Sequence, residues 1–448
     1  MSKFIMEEAQ RIPVYRQADV LVVGGGPAGL CAAVSAARGG ASVVLMERYG
    51  YLGGMATGGY VLLLDCLDDG RGKVVIKGLV EEMIERLRKY DGIIEQPEEC
   101  RGSSKQEDIL KWRRWGATGG EDKIVRYSPV VDPEMMKCAA NDMALEAGVD
   151  LLLHAWFSKA YVEDGTVKGA IFDSKSGRQA VLAKVTIDCT GDGDVFYTAG
   201  AEYSTGNLPL GLVFRVANID LDKAEGYLAA GDNAKKVERD IKEIRGVSGG
   251  YSFGELPMGF FMHGNVSNIV WFNTTIQGSA VDIADLARAE IEIRGAMVRT
   301  MDYFKANVPG FEKAVVIDTA PQVGTRSSRM LTGKYVITRK ELMEGAAYED
   351  AVVAAQPPYR QFDPDHPLKL IPYRCFLPKD LKGLLVSGRC LSGDFGAIEM
   401  LRVIPTVMLM GQACGAAAAM AVQGGVDVGD VDIGELQDNI RAQNVYLP

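Results

Sequence analysis

Histidine is nearly missing from this chain, with three in 448 residues, and no two of them stand at metal-ligand spacing. The eight cysteines (31, 66, 100, 138, 189, 375, 390 and 414) form no C-x-x-C pair. Those absences leave metal, iron–sulfur and dithiol redox chemistry without support, and scattered thiols suit a reducing cytoplasm. A basic excess is missing as well. With 49 Lys and Arg against 59 Asp and Glu the net charge is −10, so no nucleic-acid or membrane partner is expected. The opening Met1-Ser-Lys-Phe-Ile-Met-Glu-Glu8 lacks the basic-then-apolar order of a secretory leader. One apolar run, 403–422, is long enough to span a bilayer. Its Ala and Gly content, Pro405 and Gln412 mark it instead as a helix buried in protein.

Glycine, by contrast, is plentiful at 52 residues. Its most telling use is Val20-Leu-Val-Val-Gly-Gly-Gly-Pro-Ala-Gly29, where an apolar strand meets Gly24-x-Gly26-x-x-Gly29 and passes into a helix of small residues. A second apolar strand then ends at Glu47. This is the dinucleotide fingerprint in register. Gly24 permits the turn, Gly26 lets a pyrophosphate approach the backbone, and Gly29 brings helix and strand together. Pro27 and Ala28 complete the loop, and free N–H groups at the helix start hold the phosphates. Glu47 accepts hydrogen bonds from a ribose.

The rest of the chain orders around that unit. The stretch 61–125 reads as a helical and loop excursion that includes an amphipathic helix near 77–89. Asp132-Pro-Glu134 caps a helix that ends at Ala147-Gly148. Two alternating runs meet at Asp164-Gly165, a strong hairpin signal. From 205 the pattern changes to alternating strands and long helices (283–306 and 339–355), and a buried strand returns at 383–388. The expectation is an α/β chain with a Rossmann-like domain of parallel sheet plus β-meander, formed by 14–204 and 376–448. An α+β substrate or cap domain, 205–375, is inserted into it.

Three features favour FAD over NAD. Gly53-Gly54-Met55 follows Glu47 closely, Thr190-Gly191-Asp192 ends another strand, and the late strand delivers Gly388-Arg389 and Asp394 to the same sheet edge. Asp394 is expected to take a ribityl hydroxyl. The helix near Pro405 aims its N-terminus at the flavin's N1 and C2 carbonyl, with Arg402 beside it.

On these residues the chain resembles the FAD-dependent oxidoreductase family of the glutathione-reductase-type flavoproteins, with fumarate-reductase-like proteins as distant relatives. The motifs that carry the likeness include Leu52-Gly-Gly-Met-Ala-Thr57, Ile187-Asp-Cys-Thr-Gly-Asp-Gly-Asp194, Val323-Gly-Thr-Arg-Ser-Ser-Arg329 and Arg402-Val-x-Pro-Thr with its trailing Gly-Gln-Ala-x-Gly415. The resemblance implies non-covalent FAD held by Gly24, Gly26, Gly29, Glu47, Arg48, Gly54, Met55, Ala155, Trp156, Thr190, Gly191, Arg402 and Val403. Where relatives are expected to read S-x-T-H, this chain reads Ser392-Gly-Asp-Phe395.

Catalytic candidates are His263, Asp394, Arg326 and Tyr373, with His366 beside them. Arg326, Arg329 and Arg374 either bind a carboxylate substrate or, for the first two, tie the domains together. Trp112 and Trp115 either cover the flavin or pin the excursion. The leading expectation is an enzyme that transfers a hydride between a small metabolite and flavin N5. A fumarate-reductase-like reaction and an electron-transfer subunit with a protein partner are the alternatives. A single fingerprint leaves room only for transient NAD(P)H, and a homodimer stays open.

Overall fold

The computed structural model describes residues 5–112, 118–119, 124–245, 261–262, 269–356 and 368–448. Five strands lie parallel in the order Asp150–Leu152, Val43–Met46, Val14–Val23, Gly177–Asp188 and Leu384–Val386. Residues Val20, Leu21 and Val22 are fully buried, as a strand covered on both faces requires. The 12-residue strand Gly177–Asp188 has two partners on one side. Its first half pairs antiparallel with Thr166–Ser174, and its last three residues pair parallel with Leu384–Val386. Trp156–Glu163 completes the meander. Asp164 and Gly165 both take positive φ (46° and 72°) at its hairpin, the conformation of a two-residue primed turn.

The helices Pro27–Arg38 and Ile404–Gly424 cross on this sheet at backbone contact. A methyl at Gly411 would stand 2.8 Å from the Ala28 carbonyl carbon, and one at Gly415 3.0 Å from that of Ala32. Glycines four apart share a helix face, so this pair opens the groove that the first helix fills. The 21-residue helix meets the length and apolarity of a membrane span, yet 94% of its apolar window is buried in protein. The cap at Asp132 forms as expected, its carboxylate accepting from the N–H groups of Glu134 and Met135.

A second, four-stranded antiparallel sheet runs Phe261–Met262, Ile269–Ile276, Leu210–Ala217, Val315–Thr319. Its own core packs Phe214, Phe272 and Phe311 against Phe304 of the helix Ile283–Asn307. One expectation needs correction. The helix expected over 339–355 is a short one, Arg339–Met343, followed by the strand Ala351–Ala355. Gly345 (φ +67°) ends the helix, and the Ala-Val-Val-Ala-Ala run is buried throughout against Lys369–Pro372. Met330, Ile337, Val352, Val353, Ile371 and Phe376 belong to the core built on the two crossing helices.

Candidate active site

The carboxyl edge of the parallel sheet is where a ligand belongs, and the three fingerprint glycines meet there in three different environments. Gly24 has φ +99°, and a methyl on it would stand 2.7 Å from the Cys189 carbonyl carbon. Gly29 presses on Gly24, with 2.9 Å left between an added methyl and the Gly24 carbonyl carbon. Gly26 is different. Its φ of −68° and ψ of −175° suit any residue, and an added methyl would meet only Gly54 Cα, at 3.9 Å. Gly26 therefore faces open space, as the glycine beneath a pyrophosphate must. It is also the N-cap of Pro27–Arg38, where no side chain caps the helix, so the first N–H groups are left for an anion. The turn Gly54–Thr57 begins against it, with no side-chain cap of its own.

Glu47 is buried, 7% exposed. Its two oxygens accept from Gly25 N–H at 2.7 Å and Tyr49 N–H at 2.8 Å. Burial pushes its pKa up, with those backbone donors opposing. The carboxylate thus fixes the loop and keeps lone pairs for ribose hydroxyls. Beside it, Arg48 stands over the Tyr49 ring at 5.0 Å and the Trp156 ring at 5.8 Å.

From this end one cavity of about 720 Å³ runs along the sheet edge, within the size range of small-molecule and cofactor sites. Asp192 and Asp194 line it, paired with Arg389 at 2.8 Å and Arg329 at 2.9 Å. Behind them Asp188, fully buried, accepts from Thr190 N–H and hydroxyl and from the N–H groups of Val195 and Phe196. Burial raises its pKa to about 6 against those four donors. At the far end Arg402, Val403 and Ile404 form a wall at the start of Ile404–Gly424, whose N-cap Val403 supplies no side-chain bond. The second sheet closes the cavity with Gly211, Trp271 and Asn273, and Arg326 lines it from the segment after Val315–Thr319.

A long cavity with two uncapped helix starts and a glycine open to phosphate fits a dinucleotide that carries a further ring system. A sequence model of the FAD-dependent oxidoreductases matches residues 19–440. The chain belongs to the FAD-dependent oxidoreductase family. FAD is its cofactor, and the residues above are the ones that would hold it: pyrophosphate over Gly26, ribose at Glu47, flavin toward Val403. No curated protein sequence matches the chain. Solved structures similar to this FAD-dependent oxidoreductase include a geranylgeranyl bacteriochlorophyll reductase-like protein from Thermoplasma acidophilum. It is 14% identical with TM-score 0.45, over 96% of this chain and 87% of that one. The p-nitrophenol 4-monooxygenase of Pseudomonas putida DLL-E4 is 11% identical with TM-score 0.46, over 96% and 89%. The anhydrotetracycline hydroxylase of Streptomyces rimosus is 13% identical with TM-score 0.48, over 95% and 65%.

The cavity brings together Gly24, Gly26, Pro27, Ala28, Glu47, Arg48, Gly54, Met55, Ala155, Trp156, Thr190, Gly191, Arg326, Arg402 and Val403. Gly29 and Gly53 stand behind it as packing and turn positions, Gly53 at φ +97°. Asp394 does not line it. Its carboxylate caps the helix Phe395–Leu401 through Ala397 N–H and accepts from Arg339 N–H, so the ribityl and catalytic roles are withdrawn. Tyr373 is buried and its hydroxyl donates to the Val428 carbonyl at 2.8 Å, a packing bond away from the cavity. Arg374 pairs with Asp350 and covers the Tyr335 ring, and Trp112 is buried beside Cys100 and Val125. His263, His366 and Trp115 lie outside the described residues. Arg389, already named at the sheet edge, lines the cavity as well, whereas sequence reasoning missed Asp194, Asn273 and Glu399 as lining residues. Asp194 stood in a motif already singled out; the others carry no local signal.

Proposed function

We propose that this oxidoreductase exchanges a hydride between flavin N5 and a small organic acid held by Arg326. The observation that carries the reading is where Arg326 lies. Its guanidinium lines the cofactor cavity and rests on the second sheet over Gly211, where a methyl would stand 2.7 Å from Nη1 and 3.1 Å from Nη2. A bond from Nη1 to the Pro209 carbonyl, 3.0 Å, fixes its orientation. The absence of a side chain at 211 makes the room, and a guanidinium fork is the group that grips a carboxylate. One residue before Thr325, Gly324 comes within reach of Met55, whose Sδ is 4.0 Å from an added Cβ. Substrate anchor and cofactor segment are therefore neighbours.

Bound FAD supplies the two-electron acceptor or donor. The protein's part is to orient the acid, hold its charge and keep water out. Arg402 and the start of Ile404–Gly424 favour negative charge on the far ring. Eight cysteines, none in a disulfide, support a reducing cytoplasmic setting. The test is anaerobic bleaching of the flavin absorbance in a metabolite screen that includes NADH and NADPH. A hydroxy acid that bleaches wild type and fails with Arg326→Leu supports the reading. Equal bleaching by the variant, or bleaching by nicotinamide alone, refutes it.

A further inference from the structure

We propose that Glu399 is the acid–base residue of this cavity, the group that takes the substrate's proton as its hydride departs. The inference rests on the hydride reading above. Five described carboxylates line the cavity, and their surroundings set one apart. Glu47 accepts from two backbone N–H groups. Asp192 and Asp194 are held by Arg389 and Arg329, and Asp65 accepts from the Cys66 thiol at 3.1 Å. The Glu399 carboxylate forms no hydrogen bond or ion pair among the described residues. A carboxylate that is already saturated with donors is a poor proton acceptor, whereas one open to the cavity is available to a ligand. Among the described residues no histidine lines the cavity.

Its place in the fold is also the right one. Glu399 sits in Phe395–Leu401, the helix anchored at its start by Asp394. Phe395, four residues earlier and so on the same face, reaches Gly206 beside Ser327. A methyl at Gly206 would meet Ser327 Cβ at 2.6 Å and Phe395 Cδ2 at 3.1 Å. Ser327 is the neighbour of Arg326. Three residues after Glu399 comes Arg402, at the wall that faces the flavin. Glu399 thus lines the same cavity as Arg326 and Arg402, on the helix whose Phe395 packs at Gly206. With a hydroxy acid gripped by Arg326, the O–H proton passes to the Glu399 carboxylate. The C–H hydrogen leaves with its electron pair to the flavin, and the C–O single bond becomes a carbonyl. In the reductive direction Glu399 returns the proton.

The experiment compares wild type, Glu399→Gln and Glu399→Asp as FAD-loaded proteins. Bleaching by the acid found in the screen should slow about 100-fold or more in Glu399→Gln, the usual weight of a general base, and recover in large part in Glu399→Asp. The midpoint potential of the bound flavin, titrated with dithionite, should rise in Glu399→Gln because a negative charge beside the ring is gone. Equal bleaching rates, or an unmoved potential, overturn the proposal. A raised potential with no acid that bleaches any form would sink the hydride reading and leave the placement of Glu399 standing.

Discussion

Replacing Gly26 by alanine should separate cofactor binding from folding, and replacing Gly29 should not. At Gly26 the backbone (φ −68°, ψ −175°) already suits alanine, and the added methyl meets nothing closer than 3.9 Å. Apo-protein stability should therefore hold, or rise by up to about 1 kcal/mol as the unfolded chain loses glycine freedom. The methyl instead occupies the space a phosphate oxygen needs at the helix start. Loss of one charge-assisted hydrogen bond costs about 1.5–3 kcal/mol, so FAD should bind about 10- to 150-fold more weakly. At Gly29 the methyl stands 2.9 Å from the Gly24 carbonyl carbon and closer still to its oxygen. Ordinary contact is about 3.5 Å, so the Gly24 turn and the helix must part by at least about 0.6 Å. That overpacking costs about 1–3 kcal/mol or more. Thermal unfolding of the apo forms by circular dichroism and FAD titration by flavin fluorescence quenching read the two effects. Wild-type FAD affinity in Gly26→Ala, or apo destabilisation equal to that of Gly29→Ala, would refute the argument.

Glu47→Ala removes the acceptor for the N–H groups of Gly25 and Tyr49 as well as the ribose contact. FAD retention on desalting should fall and apo stability should drop by about 1–3 kcal/mol; unchanged retention would remove the ribose role. Tyr373→Phe should lose about 1 kcal/mol with its bond to Val428, and Asp394→Ala about 0.5–2 kcal/mol with its cap. Neither should slow flavin bleaching once loaded, and a slowed rate in either would reopen its catalytic role. Asp188 carries a pH signature. Burial lifts it from 3.8 to about 6, so the folded state holds its proton more tightly than the unfolded chain. Stability from this group is full below about pH 4 and is lost as pH rises through 6, by at most about 3 kcal/mol. The difference in unfolding free energy between wild type and Asp188→Asn, followed across pH 4 to 7, should trace that loss; a flat difference would show that its four donors outweigh burial.

Features set by a few adjacent residues were legible in the chain itself. Positive φ at Asp164-Gly165 and the Asp132 cap rest on contacts within one or two turns, and the order strand, glycine triplet, helix, Glu47 closes within one βαβ unit, where Gly25 N–H reaches Glu47. Asp394 shows the limit of such signals. A short acid after a strand has the same local appearance whether it meets a ligand or caps a helix, and Ala397 and Arg339 decide that it caps. The run 339–355 failed for a related reason. Its alanines suit a helix, but a glycine stop and a paired strand from 369–372 win over propensity.

What the amino-acid order settled by itself was the nucleotide cradle, because backbone conformation and strand–helix periodicity are local and glycine spacing reports them directly. Which side chains surround the reacting end was decided only by the folded chain. Arg329 reaches Asp194 across 135 residues, and Arg389 reaches Asp192 across 197. Glu399 and Arg326 line one cavity only because distant segments of the chain dock around it. Such pairings depend on where distant elements dock, and a linear pattern holds no record of that geometry.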